Sequence, residues 1–425
     1  MPNRKIIVLT YYWPPSGGSG VQRWVYFTHY LQKMGWTPIV ITVDPEQASY
    51  PQQDVSLADL VTGIRVIRTC TCEPLQWYAR WLGRGNLPQG AVPQRTIFHK
   101  IAAFIRGNFF IPDARKGWRP YAQKALKALL DSESIEWVVS TGPPHSTHLA
   151  VLPLRKTHHF RWLVDFRDPW SDLFYNQQLY RLAHTQRKDV ALEQQVLQAA
   201  DTVLTTVGGS LHDRLRNRAP NQRFAALANG FDAEKMTALK REPLPGGFHV
   251  VYTGLLTQNQ DFPAFVTALQ QLESPLPIRF SLAGQIDPEI ITTLTEALPD
   301  VAVVYLGYRS HTEVLQLMHQ ADVLVNFIFK GASTQMISGK LLEYMATGVP
   351  VLSLGDPDSE AARLLTKSTA AQMMTNTDVP AMVAFLEKAL RQKGKWLNEF
   401  PQKMQWSREG IAQRLVEEVL YYPKN

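Results

Sequence analysis

The chain has 425 residues, more than one hydrophobic core sustains, so two domains of roughly 200 residues each are expected. Its apolar fraction of 45% and charged fraction of 19% are those of a globular protein, and 10% aromatic residues exclude a disordered or low-complexity chain. The formal charge of +7 points to anionic partners such as nucleotide diphosphates or anionic lipid, whereas no zinc-finger spacing, RNP-like motif or long basic run supports nucleic acid.

No run reaches the ~18 apolar residues that span a bilayer. The N-terminus enters a strand pattern at once, without the apolar region of a signal peptide, so a cytoplasmic protein is expected. The only cysteines, Cys70 and Cys72, stand one residue apart, a poor geometry for a disulfide and too few ligands for a metal.

Lys5 to Leu9 is a short apolar run. The loop from Tyr11 to Gly20 follows, then an amphipathic stretch from Val21 to Met34, giving strand, loop and helix. Apolar runs at Pro38–Val43, Ile64–Ile67, Trp137–Ser140, Trp162–Phe166 and Thr202–Thr206 predict an open parallel α/β sheet. Trp77 to Trp118 interrupts it, mixing Trp, Phe and Ile with Arg and Lys around a helix predicted over Thr96–Asn108. A helical insertion packed on the sheet is the preferred reading. The alternative is a membrane-surface patch using Lys100, Arg106, Arg115, Lys116 and Arg119.

Arg241 to Gly247 carries two prolines and two glycines, the composition of an interdomain linker. A second α/β unit follows, with strands predicted at His249–Thr253, Ile278–Ala283, Val301–Leu306, Val323–Phe327 and Pro350–Leu354. The expected division is an N-terminal domain over 1–240, a linker over 241–248, a C-terminal domain over 249–400 and a last segment over 401–425. Its amphipathic helix, Ser407–Tyr421, is expected to pack back on the first domain.

Ligands of open α/β sheets bind outside the carboxyl ends of the strands, so chemistry is sought there. After the first strand, Gly17-Gly18-Ser19-Gly20 lets backbone amides at a helix N-terminus approach a phosphate or sugar, though a plain glycine-rich turn reads equally well. It fails as a dinucleotide fingerprint because Arg23 occupies the third glycine position, and Asp44 alone sustains only a weak oxidoreductase reading. His145 and His148 stand at a strand-to-helix corner, where an imidazole bonds a sugar hydroxyl, acts as acid or base, or is structural. The run from Asp165 to Trp170 packs Asp165, Arg167, Asp168 and Trp170 at a strand end, and a site role is preferred to an internal salt bridge. Trp170 stacks on a sugar or simply packs.

In the second half, Tyr252 to Leu256 runs into a turn at Gly254 and Leu255 whose amides are open to phosphate oxygens or form an ordinary turn. Ser338 and Gly339 open a helix that carries Lys340 and, one turn on, Glu343. On one helical face, that cation and carboxylate hold a diphosphate and a ribose diol, or pair with each other. Asp356-Pro357-Asp358 has a metal-binding D-x-D form, but a polar loop explains it better.

The run from Gly339 to Pro350, taken with Tyr252-Thr253-Gly254 and Asn229-Gly230-Phe231-Asp232, resembles the group 1 glycosyltransferases, family 4. Phe110 to Trp118, the Pro143-Pro144-His145-Ser146 corner and Asp165 to Trp170 resemble a branch acting in bacterial surface-polysaccharide assembly. The resemblance implies a GT-B fold, two Rossmann-like domains facing a central cleft. It implies a retaining hexosyltransferase that moves sugar from a nucleotide-diphosphate sugar, its co-substrate, to a glycan or lipid-linked acceptor, without metal or other cofactor. Glu343 would hold the ribose, Gly254 and Leu255 with Ser338, Gly339 and Lys340 the diphosphate, and the loop at Gly17 and Gly18 would close on the donor. Asp168 or His145 would orient the acceptor, beside Arg167, Trp170 and His148, with Lys340 stabilising the leaving phosphate. A lipid-linked acceptor would place the protein at the inner membrane surface.

The sequence departs from the family pattern in three places. No cation follows the glycine turn in the stretch through Gln260, Gln335 stands where many relatives carry a second glutamate, and Arg167 replaces a histidine. Lys340, Lys330 or Arg309 would then supply charge. The alternatives are a non-catalytic nucleotide-sugar-binding subunit and an epimerase or hydrolase on the same fold.

Overall fold

Near-continuous apolar runs are what a parallel strand buried on both faces requires, and the computed structural model places them so. It describes residues 4–50, 54, 57–73, 97–172, 176, 179–330 and 337–421. The first sheet contains β1 (Lys5–Leu9), β2 (Thr37–Val43), β3 (Arg65–Thr69), β4 (Trp137–Gly142), β5 (Arg161–Phe166), β6 (Thr202–Thr205) and β7 (Arg223–Ala226). All its pairs are parallel, in the order β3-β2-β1-β4-β5-β6-β7. The second contains β8 (Phe248–Thr253), β9 (Ile278–Ala283), β10 (Val301–Tyr305), β11 (Val323–Phe327), β12 (Val351–Leu354) and β13 (Ala371–Met374). It is also parallel, in the order β10-β9-β8-β11-β12-β13.

In both sheets the strand order reverses beside the first strand, between β1 and β4 and between β8 and β11. Connections leave such a switch point in opposite directions and open a crevice at the carboxyl ends. The predicted site loops sit there: Thr10 to Gly18 after β1, Pro143 to His145 after β4, and Gly254 after β8. Five helices matter below: α1 (Ser19–Lys33), α2 (Ile97–Phe109), α3 (Ser146–Val151), α4 (His311–Gln320) and α5 (Gly339–Ala346).

The chain divides into two compact units, Met1–Leu227 with Ala412–Asn425, and Ala228–Ile411. The proline-glycine stretch marked as a linker lies inside the second unit, tied to it by polar contacts. The Leu244 amide donates to the Gln320 carbonyl at 3.2 Å, and Arg241 Nη1 to the Trp396 carbonyl at 3.0 Å. The division falls earlier because Phe231 bridges to Ser407, with Arg408 N–H donating to the Phe231 carbonyl at 2.8 Å. The expected last helix is an α-helical turn, Arg408–Arg414, followed by a π-helical one, Leu415–Leu420. No described helix is long and apolar enough to cross a membrane.

Candidate active site

In the first unit, the run at the end of β5 resolves into two carboxylates with different surroundings. Asp165 is fully buried and accepts from Arg23 Nε and Nη2 at 3.1–3.2 Å, from Trp24 Nε1 at 2.6 Å and from Thr141 Oγ1 at 2.8 Å. Arg23, the residue that breaks the dinucleotide fingerprint, is thus the counter-ion of Asp165, and its Nη1 also reaches the Leu227 carbonyl at 2.9 Å. Asp165 is a closed internal ion pair. Asp168, half-buried three residues on, makes no hydrogen bond or ion pair among the described residues. Burial raises its pKa; Arg167 opposes that and the Asp165 charge adds to it.

Arg167 bridges the loops. Its guanidinium donates to the carbonyls of Gly20, Pro143 and Gly142, the last at 3.2 Å. Gly20 is obligatory for this approach, since a Cβ there would lie 2.6 Å from Arg167 Nη1. Gly18 caps α1 with φ +93° and no side-chain cap, in open surroundings, whereas Gly17 is buried.

His145 and His148 face the same corner. His148 is fully buried, with Nδ1 2.8 Å from Ser140 Oγ, which also accepts from Trp162 Nε1 at 2.9 Å. His148 Nε2 is unpaired, and neither ring nitrogen of His145 has a well-formed hydrogen bond. Burial, then Arg167, pulls the His148 pKa down to about 3. Burial and the neighbouring His148 hold His145 well below the usual histidine value, against a smaller pull from the Pro169 carbonyl. Both rings are therefore neutral near pH 7. Gly142 makes room for them, because a Cβ there would lie 2.6 Å from His145 Nδ1 and from His148 Nε2.

Trp170 stacks on His145, ring centroids 5.1 Å apart and 7° from parallel, within a cluster that includes His148 and Phe166. The indole is 2% exposed, and its Nε1 donates to Asp189 at 2.7 Å. It presents no open face for a sugar here; its contact is the wall of the histidine corner. Asp113 fixes that corner from outside, accepting from Ser146 N–H at 2.8 Å and Ser146 Oγ at 2.9 Å at the start of α3.

In the second unit, glycines end three successive strands with positive φ: Gly254 at +109°, Gly284 at +128° and Gly307 at +72°. A Cβ on Gly284 would sit 2.2 Å from the Gly254 carbonyl, so the turns pack backbone to backbone. Leu255 is exposed beside Gly254. Lys340 Nζ donates to the Thr253 carbonyl at 2.9 Å and lies 3.7 Å from the Tyr252 ring centroid, within reach of Gly254. No carboxylate among the described residues pairs with it, and burial holds its pKa well below the usual lysine value. Ser338, N-cap of α5, makes no side-chain cap bond, and a Cβ on Gly339 would meet open space. Among the described residues nothing blocks the helix N-terminus.

Glu343 does not pair with Lys340, although the spacing allows it. Its Oε1 is 2.9 Å from His311 Nε2 and 3.9 Å from Arg408 Nη2. Both partners were invisible as such in the sequence. His311 has a local cue, since Ser310 and Glu313 form a capping box that places it in the first turn of α4; Arg408 has none. Tyr344 is a further missed residue: its hydroxyl accepts from Thr253 N–H at 2.8 Å and fixes the end of β8.

The missing cations after Gly254 have a structural counterpart. Gln260 is 2% exposed and knots its own loop, accepting from Thr257 N–H at 2.8 Å and donating to the Leu255 carbonyl at 2.6 Å. Gln335 lies outside the described residues. Arg309 is engaged with the Leu306 carbonyl at 2.9 Å and with Glu313 at 3.6 Å, while Lys330 is exposed. Asp356 accepts from Asp358 N–H at 2.9 Å in a tight turn before a helix. Among the described residues no group of three or more His, Cys, Asp or Glu could hold a metal ion.

Two nucleotide-binding-type α/β units, the second with an open helix N-terminus, a lysine and a carboxylate at one switch point, define a protein of GT-B architecture. Residues 247–392 match the model of the family described as glycosyl transferases group 1, and the chain carries a domain of that family. Its fold is shared with sucrose-phosphate synthase of Thermosynechococcus elongatus, at 16% identity and a TM-score of 0.61, covering 98% of each chain. It is also similar to HepE of Anabaena in complex with UDP-glucose, at 12% identity and a TM-score of 0.59, covering 98% of this chain and 100% of that one. WaaG, a glycosyltransferase involved in lipopolysaccharide biosynthesis, matches at 16% identity and a TM-score of 0.54, over 98% of this chain and 96% of its own. No curated protein matches.

Proposed function

We propose that the protein transfers a sugar from a nucleotide-diphosphate sugar to a glycan or lipid-linked acceptor, with retention of anomeric configuration, in polysaccharide biosynthesis. One observation carries the donor half. The unblocked α5 N-terminus at Ser338 and Gly339, Lys340 beside the Gly254 turn and Glu343 one turn on offer amides and a cation to a diphosphate and a carboxylate to a ribose diol. The complex of HepE with UDP-glucose supports a donor of this class. The dominant chemical need is stabilisation of charge on the leaving diphosphate, which Lys340 and those amides would meet. The amides at Gly18 and Leu255 would add to it.

Asp168 and His145, which make no well-formed hydrogen bond among the described residues after β5 and β4, would orient the acceptor hydroxyl, with Arg167 and His148 setting the field around them. Trp170 acts on the acceptor side by fixing His145. A lipid-linked acceptor is favoured by α2, which turns Ala103 and Gly107 inward and leaves Ile101, Phe104, Ile105 and Phe109 exposed beside Lys100 and Lys116. Arg115 and Trp118 are buried and do not join that surface; residues 74–96 lie outside the described set.

The test is nucleotide release across UDP-, GDP-, ADP- and dTDP-sugars, with the product anomer read by NMR. Glu343→Ala and Lys340→Ala should each reduce transfer sharply, and full activity in both rules out the donor site. Binding of a donor with no release over a broad acceptor panel would favour a non-catalytic subunit. Turnover of donor without acceptor would favour an epimerase or hydrolase. Loss of liposome co-sedimentation in Phe109→Ser with Ile105→Ser is expected; unchanged sedimentation removes the membrane reading.

A further inference from the structure

We propose that His311 and Arg408 form a clamp that positions Glu343, fixing one carboxylate oxygen so that the other is aimed at the sugar of the nucleotide. The inference rests on the donor-site reading above and adds the residues that make Glu343 selective for a ribose. Oε1 of Glu343 faces His311 Nε2 at 2.9 Å and Arg408 Nη2 at 3.9 Å, whereas Oε2 makes no hydrogen bond among the described residues. A carboxylate held on one side has lost most of its rotational freedom and presents its second oxygen in a fixed direction, the arrangement that discriminates a hydroxyl from a hydrogen.

Each arm of the clamp is itself anchored. His311 opens α4, whose first turn is locked by the reciprocal Ser310 and Glu313 capping box. Arg408 is 6% exposed and is seated on the Asn229 to Asp232 segment. Its N–H donates to the Phe231 carbonyl at 2.8 Å, and its Nη1 lies 3.9 Å from Asp232 Oδ2. Asp232 in turn caps the helix Ala233–Ala238 by accepting from Lys235 N–H at 3.1 Å. Gly230, with φ +75°, is required because a Cβ would meet Arg408 N at 2.9 Å. The asparagine-glycine motif, which no chemistry had absorbed, thus reaches Glu343 through one arginine. All of these residues belong to the second unit.

The experiment measures calorimetric affinity for UDP, GDP and ADP and for the 2′-deoxy and 3′-deoxy forms of whichever binds tightest. In the wild type a ribose preference is expected. His311→Ala should cut that preference by about tenfold, the loss of one charge-assisted hydrogen bond, while His311→Gln, which retains an N–H donor, restores most of it. Arg408→Met risks the fold through Asp232, so surface-accessible His311 is the primary variant, and its melting temperature is checked alongside. Equal weakening of ribo and deoxy ligands in His311→Ala, or no weakening, overturns the clamp. Discrimination lost in Glu343→Ala but kept in His311→Ala overturns the clamp alone. Equal binding of ribo and deoxy ligands by the wild type, or binding of none of the three diphosphates, overturns the ribose reading of Glu343 and the clamp with it.

Discussion

Lys340 makes donor binding a pH-dependent event with a predictable sign. In the free protein its half-buried ammonium faces a carbonyl and an aromatic ring and has no carboxylate partner among the described residues, and desolvation holds its pKa well below the ordinary lysine value. A diphosphate in front of Gly254 would favour the charged form, raising that pKa in the complex. The ligand then binds best where the lysine is already protonated. Affinity should be full below the free-state pKa and fall as pH rises through it, by at most about tenfold per pH unit, the limit for one linked proton. Above pH ~7.5 a terminal phosphate, with a second pKa near 6, no longer changes charge, so a slope between pH 7.5 and 10 belongs to the protein. Calorimetry of a nucleoside diphosphate in buffers of different ionisation enthalpy should show proton uptake on binding. Lys340→Met should flatten the profile and weaken binding at pH 7.5 by about 10- to 150-fold, the worth of one charge-assisted contact of about 1.5–3 kcal/mol. Affinity constant from pH 7.5 to 10, without proton uptake, in a wild type that binds, would refute the assignment.

The neighbouring carboxylates at the end of β5 should respond oppositely. Asp165→Ala strands the buried Arg23 and should cost the first unit about 3–5 kcal/mol in urea unfolding, and a loss under about 1 kcal/mol contradicts the closed ion pair. Asp168→Asn breaks no hydrogen bond or ion pair among the described residues, so stability should hold within about 0.5 kcal/mol while turnover falls by about a hundredfold or more; undiminished turnover removes Asp168 from the chemistry. Gly284→Ala forces a Cβ onto the Gly254 carbonyl and an unfavourable φ on the new side chain, the latter alone worth about 1–3 kcal/mol. It should weaken diphosphate binding by displacing the turn, and unchanged affinity would refute the backbone packing as a support of the site. His148, with a folded pKa of about 3, binds its proton more readily when unfolded. The stability it allows is complete above the unfolded value of about 6.5 and declines as pH falls toward 3, by about 2 kcal/mol at pH 5. His148→Gln should lose that share of the acid sensitivity in urea titrations at pH 7 and pH 5, and an unchanged difference would show that the ring titrates normally.

Much of this architecture was legible because parallel strands announce themselves as apolar runs: eleven of the described strands coincide with runs read from the sequence. The two that were not, β7 and β13, are four-residue edge strands carrying Arg223, Gln372 and two methionines, half covered and short of the apolar signal. The unit boundary was misplaced for a related reason. Composition marks Arg241 to Gly247 as linker-like, but attachment to the second unit depends on contacts with Gln320 and Trp396, which are remote in sequence. Candidate site residues could be singled out where a strand end or a helix start supplied them, as with His145, Gly254 and Lys340. Their partners were not, since Arg23, Asp113, His311 and Arg408 reach the site from other elements. Spacing left open whether Lys340 and Glu343, on one helix face, pair with each other; they do not, Lys340 turning to the Thr253 carbonyl and Glu343 to His311.

What separates the functional groups from the merely buried ones is whether the fold completes them. Asp165, Glu73 and Gln260 are all buried, and each is closed by several partners: Arg23 and Trp24, Tyr11 and Ser49, Thr257 and Leu255. Isolated unpaired atoms occur elsewhere, as at Trp36 Nε1 and His249 Nε2. At the end of β4 several of them converge. Among the described residues, the ring nitrogens of His145 and His148 Nε2 are buried and unpaired around Gly142 and Arg167 in the first unit, beside a half-buried Asp168 without a hydrogen bond; in the second, Glu343 Oε2 makes no hydrogen bond, Ser338 makes no cap bond and Lys340 faces no carboxylate. Leaving one buried polar group unpaired costs about 1–3 kcal/mol, so several at one strand end are retained only if something else completes them. In the second unit the open groups are donors, a cation and one acceptor oxygen, the complement of a diphosphate joined to a diol. In the first they are neutral imidazoles and a carboxyl of raised pKa, suited to a hydroxyl rather than to an anion.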